Sequence, residues 1–344
     1  MTTATKKRTP DVHTDVDLEI AIDPLLVSAR LPHQTLVYPY GYPLQIRSNA
    51  IGIVDAANEH WSHLSQRFDR PPIEIHYLVT ESACSREVPA EPVLRAQRNL
   101  LAIYGGEGNF GCCDLAAGFA SAWLTPEVAA NTEYLRFYFL EGMAYPMLSS
   151  VHFAFVHAAC VELNGRGILL AGESGAGKTS LAYACARRGW TYISDDASVI
   201  WLGGDDRLVL GDSRRFRFRP SAGSLFSEFR AVTDRATQRP GGKPTIEIKT
   251  DSLAGIATAL ESRVDCVVFL RRLSEGHTDA TLVPLGRRED AVRRLFHDVW
   301  PRELQSSELQ VAAIRRIAGR GVFELRYSDL DHAVEQLRKL VHHS

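Results

Sequence analysis

The run Gly172-Glu173-Ser174-Gly175-Ala176-Gly177-Lys178-Thr179 satisfies G-x-x-x-x-G-K-[ST] at every position. In such a run the glycines let backbone N–H groups converge on phosphate oxygens, the lysine reaches the β and γ phosphates, and the threonine hydroxyl takes Mg²⁺. Ser180 follows and completes the candidate nucleotide-binding set. Two carboxylates, Asp195 and Asp196, come shortly after. One of them could hold the metal while the other accepts a proton from an incoming hydroxyl; the plainer role for such residues is a solvated strand end or a helix cap. Together the two groups point to ATP, Mg²⁺ and phosphoryl transfer.

The flanking residues predict the elements that must position this chemistry. Ile168-Leu169-Leu170-Ala171 reads as a buried strand, and Thr179–Arg188 as a helix closed by Gly189. The loop between them sets phosphate at a helix N-terminus, where free amides and the dipole favour negative charge. Trp190–Ser194 reads as a strand that carries Asp195 and Asp196 to its end. Upstream, Asn164-Gly165 is a tight-turn signal joining an alternating strand, Val151–Leu163, to the strand that enters the loop. A two-residue turn sets His157 opposite Gly172, and a four-residue turn sets it opposite Ser174. Either register brings His157 to the phosphate loop. An antiparallel neighbour directly before the loop departs from the parallel sheet of the ordinary P-loop NTPase.

The segment His157 to Asp196, with Gly172–Thr179 and Asp195-Asp196, resembles the catalytic core of HPr kinase/phosphorylase, a family that shares its fold with phosphoenolpyruvate carboxykinase. The histidine 21 residues before Lys178 and the aspartate pair beginning 17 residues after it match the family's spacing. The resemblance implies an α/β protein: a phosphoenolpyruvate carboxykinase-like P-loop kinase domain with a mixed sheet, preceded by a smaller α/β domain. It further implies Asp195 as general base on the acceptor hydroxyl and His157 close to the phosphates, tuning that base. Thr179 and Asp196 would serve Mg²⁺, and the two aspartates could exchange roles. Lys178 would stabilise the transferring charge. Thr245–Lys249 resembles a family strand with a glutamate followed two residues later by an arginine, here Glu247 and Lys249. The family's C-terminal motif and N-terminal domain have no counterpart here. A homo-oligomer is a further implication of the resemblance.

The rest of the chain frames this core. A chain of 344 residues, 45% apolar and 23% charged, with formal net charge −2, suits a soluble globular protein and argues against general nucleic-acid affinity. Six scattered cysteines without a C-x-x-C pair suggest neither a zinc site nor a disulfide framework, and no stretch reads as a membrane span, so a cytoplasmic protein is expected. Residues 1–16 read as a flexible tail, 17–140 as a mixed α/β domain of unknown role, 141–273 as the P-loop catalytic domain and 274–344 as a C-terminal α/β appendage. In the first domain Ala50–Arg67 reads as a helix and the apolar runs Ile73–Val79 and Tyr134–Leu140 as strands, with a helix at Glu141–Ser150 opening the next. His60 and His63 beside Glu59 could bracket a metal, but an exposed helix face is the simpler expectation. Arg215-Phe216-Arg217-Phe218-Arg219 alternates three arginines with two aromatics, and could grip a triphosphate or an acidic substrate segment, or form an ordinary half-exposed strand. The loop Arg239-Pro240-Gly241-Gly242-Lys243-Pro244 brings two cations that could close over nucleotide. The C-terminal part predicts amphipathic segments at Arg287–Val299 and Ser328–Val341 around one strand, Val322–Tyr327.

The expected function is transfer of the γ-phosphoryl of ATP to a hydroxyl, with serine of a protein or peptide as the acceptor. A small-molecule kinase of the same fold, acting on an amino acid or metabolite, is the first alternative. A non-catalytic nucleotide-binding regulatory module is the second.

Overall fold

The computed structural model describes residues 30–80, 90–204, 207–238, 242–274, 280–286, 288–297 and 308–343. The expected tail over 1–16 and residues Arg239, Pro240 and Gly241 of the cation-bearing loop lie outside the described residues.

A first sheet is built from β1 (His33–Val37), β2 (Leu44–Ser48), β3 (Ile73–Val79), β4 (Val93–Gln97), β5 (Leu100–Tyr104), β6 (Phe110–Asp114) and β7 (Phe119–Leu124). Its spatial order is β1-β2-β3-β7-β6-β5-β4, with β2, β3 and β7 parallel and the outer pairs antiparallel. Helix α1 (Ile51–Trp61) covers it with Ile53, Val54, Ala57 and Trp61 buried. This helix stops six residues short of Arg67. His60 is buried against the body of the protein, not exposed, and His63 lies past the helix end. No cluster of three or more His, Cys, Asp or Glu that could hold a metal occurs among the described residues.

After a short helix, α2 (Pro126–Ala130), one helical run follows: Thr132–Tyr134, a π-helical stretch Leu135–Glu141, and Gly142–Val151, together α3. The run Tyr134–Leu140 is therefore helical, not a strand. Its Tyr and Phe residues favour strands by propensity, but burial of Leu135, Phe139 and Leu140 in the first core decides the outcome.

The second sheet holds the candidate site. Its strands are β8 (Phe153–Val156), β9 (Ala158–Leu163), β10 (Arg166–Ala171), β11 (Thr191–Ser194), β12 (Ser198–Trp201) and β13 (Leu208–Gly211), with β16 (Ala257–Thr258), β17 (Glu261–Arg272), β18 (Thr281–Pro284) and β19 (Val322–Tyr327). The order is β16-β11-β9-β10-β17-β13-β12-β8, and β19 joins β17 and β18. The ribbon β14 (Arg215–Phe218) and β15 (Ile246–Lys249) stands apart as an antiparallel pair. Both expected hairpin features appear: β9 and β10 are antiparallel, and Leu163 pairs with Arg166 across Asn164-Gly165. The single strand expected over Val151–Leu163 is instead two. Residues 153–156 pair with β12 and 158–163 with β10 and β11, so the chain changes partners at His157.

Helix α4 (Lys178–Ala186) packs on one face of this sheet, and α7 (Leu330–His343) lies beside it; α5 (Arg288–His297) and α6 (Glu308–Ala318) pack on the other. Two of these helices and β19 match the C-terminal expectation, while α6 and β18 are additional. Phe153, Phe155, Trp201 and Leu210 from β8, β12 and β13 share the first sheet's core, and Phe68 stacks on Trp201 at 4.0 Å between ring centroids. The two sheets are thus joined by a continuous apolar seam. Among the described residues, no helix is long and apolar enough to cross a membrane.

Candidate functional site

Three adjacent strands bring the candidate residues to one sheet edge. Strand β10 ends at Ala171 and runs into Gly172; its partner β9, running the other way, begins at Ala158 just after His157; β11, on the far side of β9, ends at Ser194 just before Asp195 and Asp196. The last pair of the hairpin is Ala171 with Ala158, which leaves His157 and Gly172 as the next residues at that edge. Neighbouring strands lie about 5 Å apart, so the histidine stands about one strand spacing and the aspartates about two, roughly 10 Å, from the strand that enters the loop.

The phosphate loop curls through Gly172, Gly175 and Gly177, and α4 begins at Lys178. Gly177 has φ +95°, and a Cβ there would collide with Oη of Tyr327, the last residue of β19. That hydroxyl donates to the Ala176 carbonyl at 2.7 Å and braces the loop from outside. Lys178 is buried, and its Nζ donates to the carbonyl of Gly172 at 2.7 Å and approaches that of Glu173 at 3.4 Å. Thr179 and Ser180 are half-buried in the first turn of α4. From the described end of the cation-bearing loop, Lys243 Nζ reaches Ser174 Oγ at 3.2 Å. A cavity of about 480 Å³ adjoins the loop, lined among others by Gly177, Ser180, Arg187, Arg272 and Tyr327.

The aspartate pair is held by a hydroxyl chain. Ser198 Oγ donates to the Ala158 carbonyl at 2.9 Å, so its 2.7 Å partner Ser194 must donate to it; the turn between β11 and β12 is thereby tied to the start of β9. Asp195 is 5% exposed and accepts the backbone N–H of Arg217 on Oδ2 at 2.6 Å. Burial first, and then the adjoining charge of Asp196, push its carboxyl up to about 7; the Arg217 side chain and amide and Tyr192 pull it only part of the way back. Asp196 is half-exposed, and its Oδ1 lies 3.2 Å from His157 Nδ1. Two neighbouring carboxylates therefore stand in different environments, one dry and one wet.

Behind Asp195 lies a charged knot. Glu247 of β15 accepts Arg215 Nη1 at 2.7 Å and Arg217 Nε at 3.2 Å, with Arg136 Nη2 at 3.4 Å. The alternation expected over 215–219 holds through Phe218: Phe216 and Phe218 are buried, while Arg215 and Arg217 are half-buried and tied to Glu247. Arg219 lies beyond the strand, at 3.4 Å from the Pro244 carbonyl. Glu141, at the end of the π-helical stretch, sits 2.9 Å from His60 Nε2. Burial alone would raise its carboxyl, but His60, Arg217 and Arg136 hold it below the usual range.

A second cavity, also about 480 Å³, opens on Asp195, Asp196 and His157. Its far wall is aromatic and comes from the first sheet's connection and α3: Tyr40, Phe137, Tyr138 and Tyr145. Sequence reasoning missed this wall, along with Glu141 and the Tyr327 brace. Of these, only the rings of Tyr134–Leu140 leave a trace in the sequence, and their pattern there is that of a strand.

Mg²⁺ fits the donors present. Asp196 is accessible to solvent and Thr179 stands in the first turn of α4; Mg²⁺ takes few protein ligands and completes its shell with phosphate oxygens and water.

Residues 150–216 match the family model "HPr Serine kinase C-terminal domain". The HPr kinase/phosphorylase of Lactobacillus delbrueckii subsp. bulgaricus is 34% identical over 98 residues, 28% of this chain and 30% of that protein. That of Lactobacillus gasseri is 34% identical over 85 residues, 22% of this chain and 26% of that protein. That of Caldanaerobacter subterraneus subsp. tengcongensis is 42% identical over 53 residues, 15% of this chain and 17% of that protein. This chain thus spans less than a third of the length of these relatives. The HPr(Ser) kinase/phosphatase structure from Coxiella burnetii aligns at 14% identity with TM-score 0.30, covering 55% of this chain and 99% of that one.

Proposed function

We propose that this chain, which over residues 150–216 matches the HPr serine kinase C-terminal domain, transfers the γ-phosphoryl of ATP to a hydroxyl. The observation that carries this reading is the placement of Asp195: buried, held by the Arg217 amide, and at the same sheet edge as the phosphate loop, where burial pushes its carboxyl up to about 7. A base poised near neutral pH combines a useful ionised fraction with enough basicity to take a hydroxyl proton.

In the proposed reaction Gly172–Ser180 cradles the triphosphate with backbone amides and the α4 N-terminus, and the cavity beside Gly177 and Tyr327 takes the nucleoside. Lys178 leaves its loop carbonyls for the β and γ phosphates. Thr179 and Asp196 hold Mg²⁺, which when bound neutralises charge on the phosphates. Asp195 receives the acceptor's O–H proton as the oxygen bonds to the γ-phosphorus; the bond to the bridging oxygen breaks, and its electron pair leaves with ADP. His157, at 3.2 Å from Asp196, orients that carboxylate and keeps the pair's roles distinct. Serine on a protein or peptide is the acceptor that the family name suggests, and the aromatic cavity favours a second reading, developed below.

Replacement Asp195→Asn tests the proposal. Label transfer from γ-labelled ATP should fall on the order of 10³-fold, while ATP affinity changes by less than about threefold. Transfer at the wild-type rate would remove Asp195 from the mechanism.

A further inference from the structure

We infer that the acceptor is a small neutral or amine-bearing alcohol with an aromatic or aliphatic body, held in the cavity between α3 and the Asp195 edge. The inference rests on the phosphotransferase reading and names its substrate class.

The first ground is access. Asp195 is 5% exposed, and the way to its carboxylate is through a cavity of about 480 Å³, within the usual size range of small-molecule sites. A serine side chain carries its oxygen only one carbon from the backbone. A serine on a folded protein surface would have to bring its main chain into this cavity as well.

The second ground is how the wall is made. Tyr40 holds a left-handed backbone, φ 51° and ψ 28°, between Pro39 and Gly41, a conformation that costs a bulky residue free energy and recurs at ligand sites. It sets the Tyr40 ring 5.4 Å from those of Tyr145 and Phe155, both lining the cavity. Phe137, Tyr138 and Glu141 reach the same space from the π-helical stretch, a rare geometry that is frequent at functional sites. Two unfavourable local conformations thus converge on one aromatic surface facing the proposed base.

The third ground is charge. The lining includes five carboxylates, Glu91, Glu141, Asp195, Asp196 and Asp212, against two guanidiniums, Arg215 and Arg217; Asp212 is bonded to Arg214, Glu141 lies against His60 and Asp196 against His157. Both guanidiniums bond to Glu247. A carboxylic acid or sugar phosphate would have to compete with Glu247 for these guanidiniums, whereas an amine would meet aromatic faces and acidic groups. The acceptor oxygen loses its proton to Asp195, bonds to the γ-phosphorus and releases ADP.

The full-length protein with γ-labelled ATP and Mg²⁺ should be given three fractions of a bacterial lysate: the macromolecular retentate of ultrafiltration, the filtrate passing an anion exchanger, and the filtrate bound to it. The expected result is label in a small product from the unbound filtrate. The Leu94→Trp variant, which narrows the cavity from β4, should reduce that product at least tenfold with ATP affinity unchanged. Label on polypeptide alone, or from the anionic filtrate alone, would overturn the inference and leave the phosphotransferase reading standing. A product unaffected by Leu94→Trp would also overturn it. No label from any fraction, with ATP still bound, would overturn both.

Discussion

The proposed nucleotide end and the proposed acceptor end of this site are built in opposite ways. Gly172–Ser180 is nine consecutive residues whose backbone would do most of the proposed binding, and its chief support from afar is one hydroxyl, that of Tyr327. The acceptor cavity draws Tyr40, α3, His157, Asp195 and Arg217 from across more than half of the chain. A local device tolerates change elsewhere. A device assembled across two sheets depends on the apolar seam that joins them.

Substitutions at the two ends should therefore separate binding from transfer. The largest effect is expected from Lys178→Ala, which removes the charge that would follow the γ phosphate; transfer should fall on the order of 10³-fold in a single-turnover assay, with nucleotide binding weakened as well. Gly177→Ala combines an unfavourable positive φ with a collision against Tyr327 Oη. It should weaken nucleotide binding by about 1–3 kcal/mol by calorimetry. Tyr327→Phe, which only deletes the 2.7 Å bond to Ala176, should weaken it by about 1 kcal/mol. If Tyr327→Phe matched Gly177→Ala, the brace and not the backbone would be the main element of the loop.

The acceptor end should show a stability cost that the nucleotide end lacks. Asp195 keeps its proton to about 7 in the folded chain but releases it near 4 when unfolded. Between those values the folded state binds more protons, so this group's contribution to stability falls as pH rises from about 4 to 7. Asp195→Asn should raise the melting temperature at pH 8, by an amount equivalent to a few kcal/mol at most, and leave it almost unchanged at pH 4. An equal shift at both pH values would mean that the buried charge is not the cause. The smallest effect is expected from Lys243→Ala, whose exposed contact with Ser174 should contribute about 0.5 kcal/mol to nucleotide affinity, measurable as a salt-sensitive change.

How much of this was legible in the sequence follows the same division. The loop, its strand and helix, and the hairpin register through Asn164-Gly165 depend on residues near one another in the chain, and each could be read directly. His157 was placed correctly beside the loop even though the strand carrying it breaks in two, because the register is fixed by the turn and not by the strand's length. The acceptor wall could not be read. Tyr134–Leu140 has strand-like composition and becomes helical only because Leu135, Phe139 and Leu140 meet a distant core. The ion-paired groups were equally hidden: His60 finds Glu141, and Arg215 and Arg217 find Glu247, through contacts that no spacing rule anticipates.

The central claim, that a buried carboxylate at the acceptor end activates a hydroxyl for the phosphate held at the other, is tested most directly by the pH dependence of phosphoryl transfer. With Mg²⁺ and ATP saturating, the wild-type rate should rise with pH and level off with a midpoint no higher than about 7, since Mg²⁺ at Asp196 would offset the repulsion that helps raise Asp195, and Asp195→Asn should leave a slow rate without that step. A wild-type rate that is flat from pH 5 to 9, or a step that survives in Asp195→Asn, would contradict it.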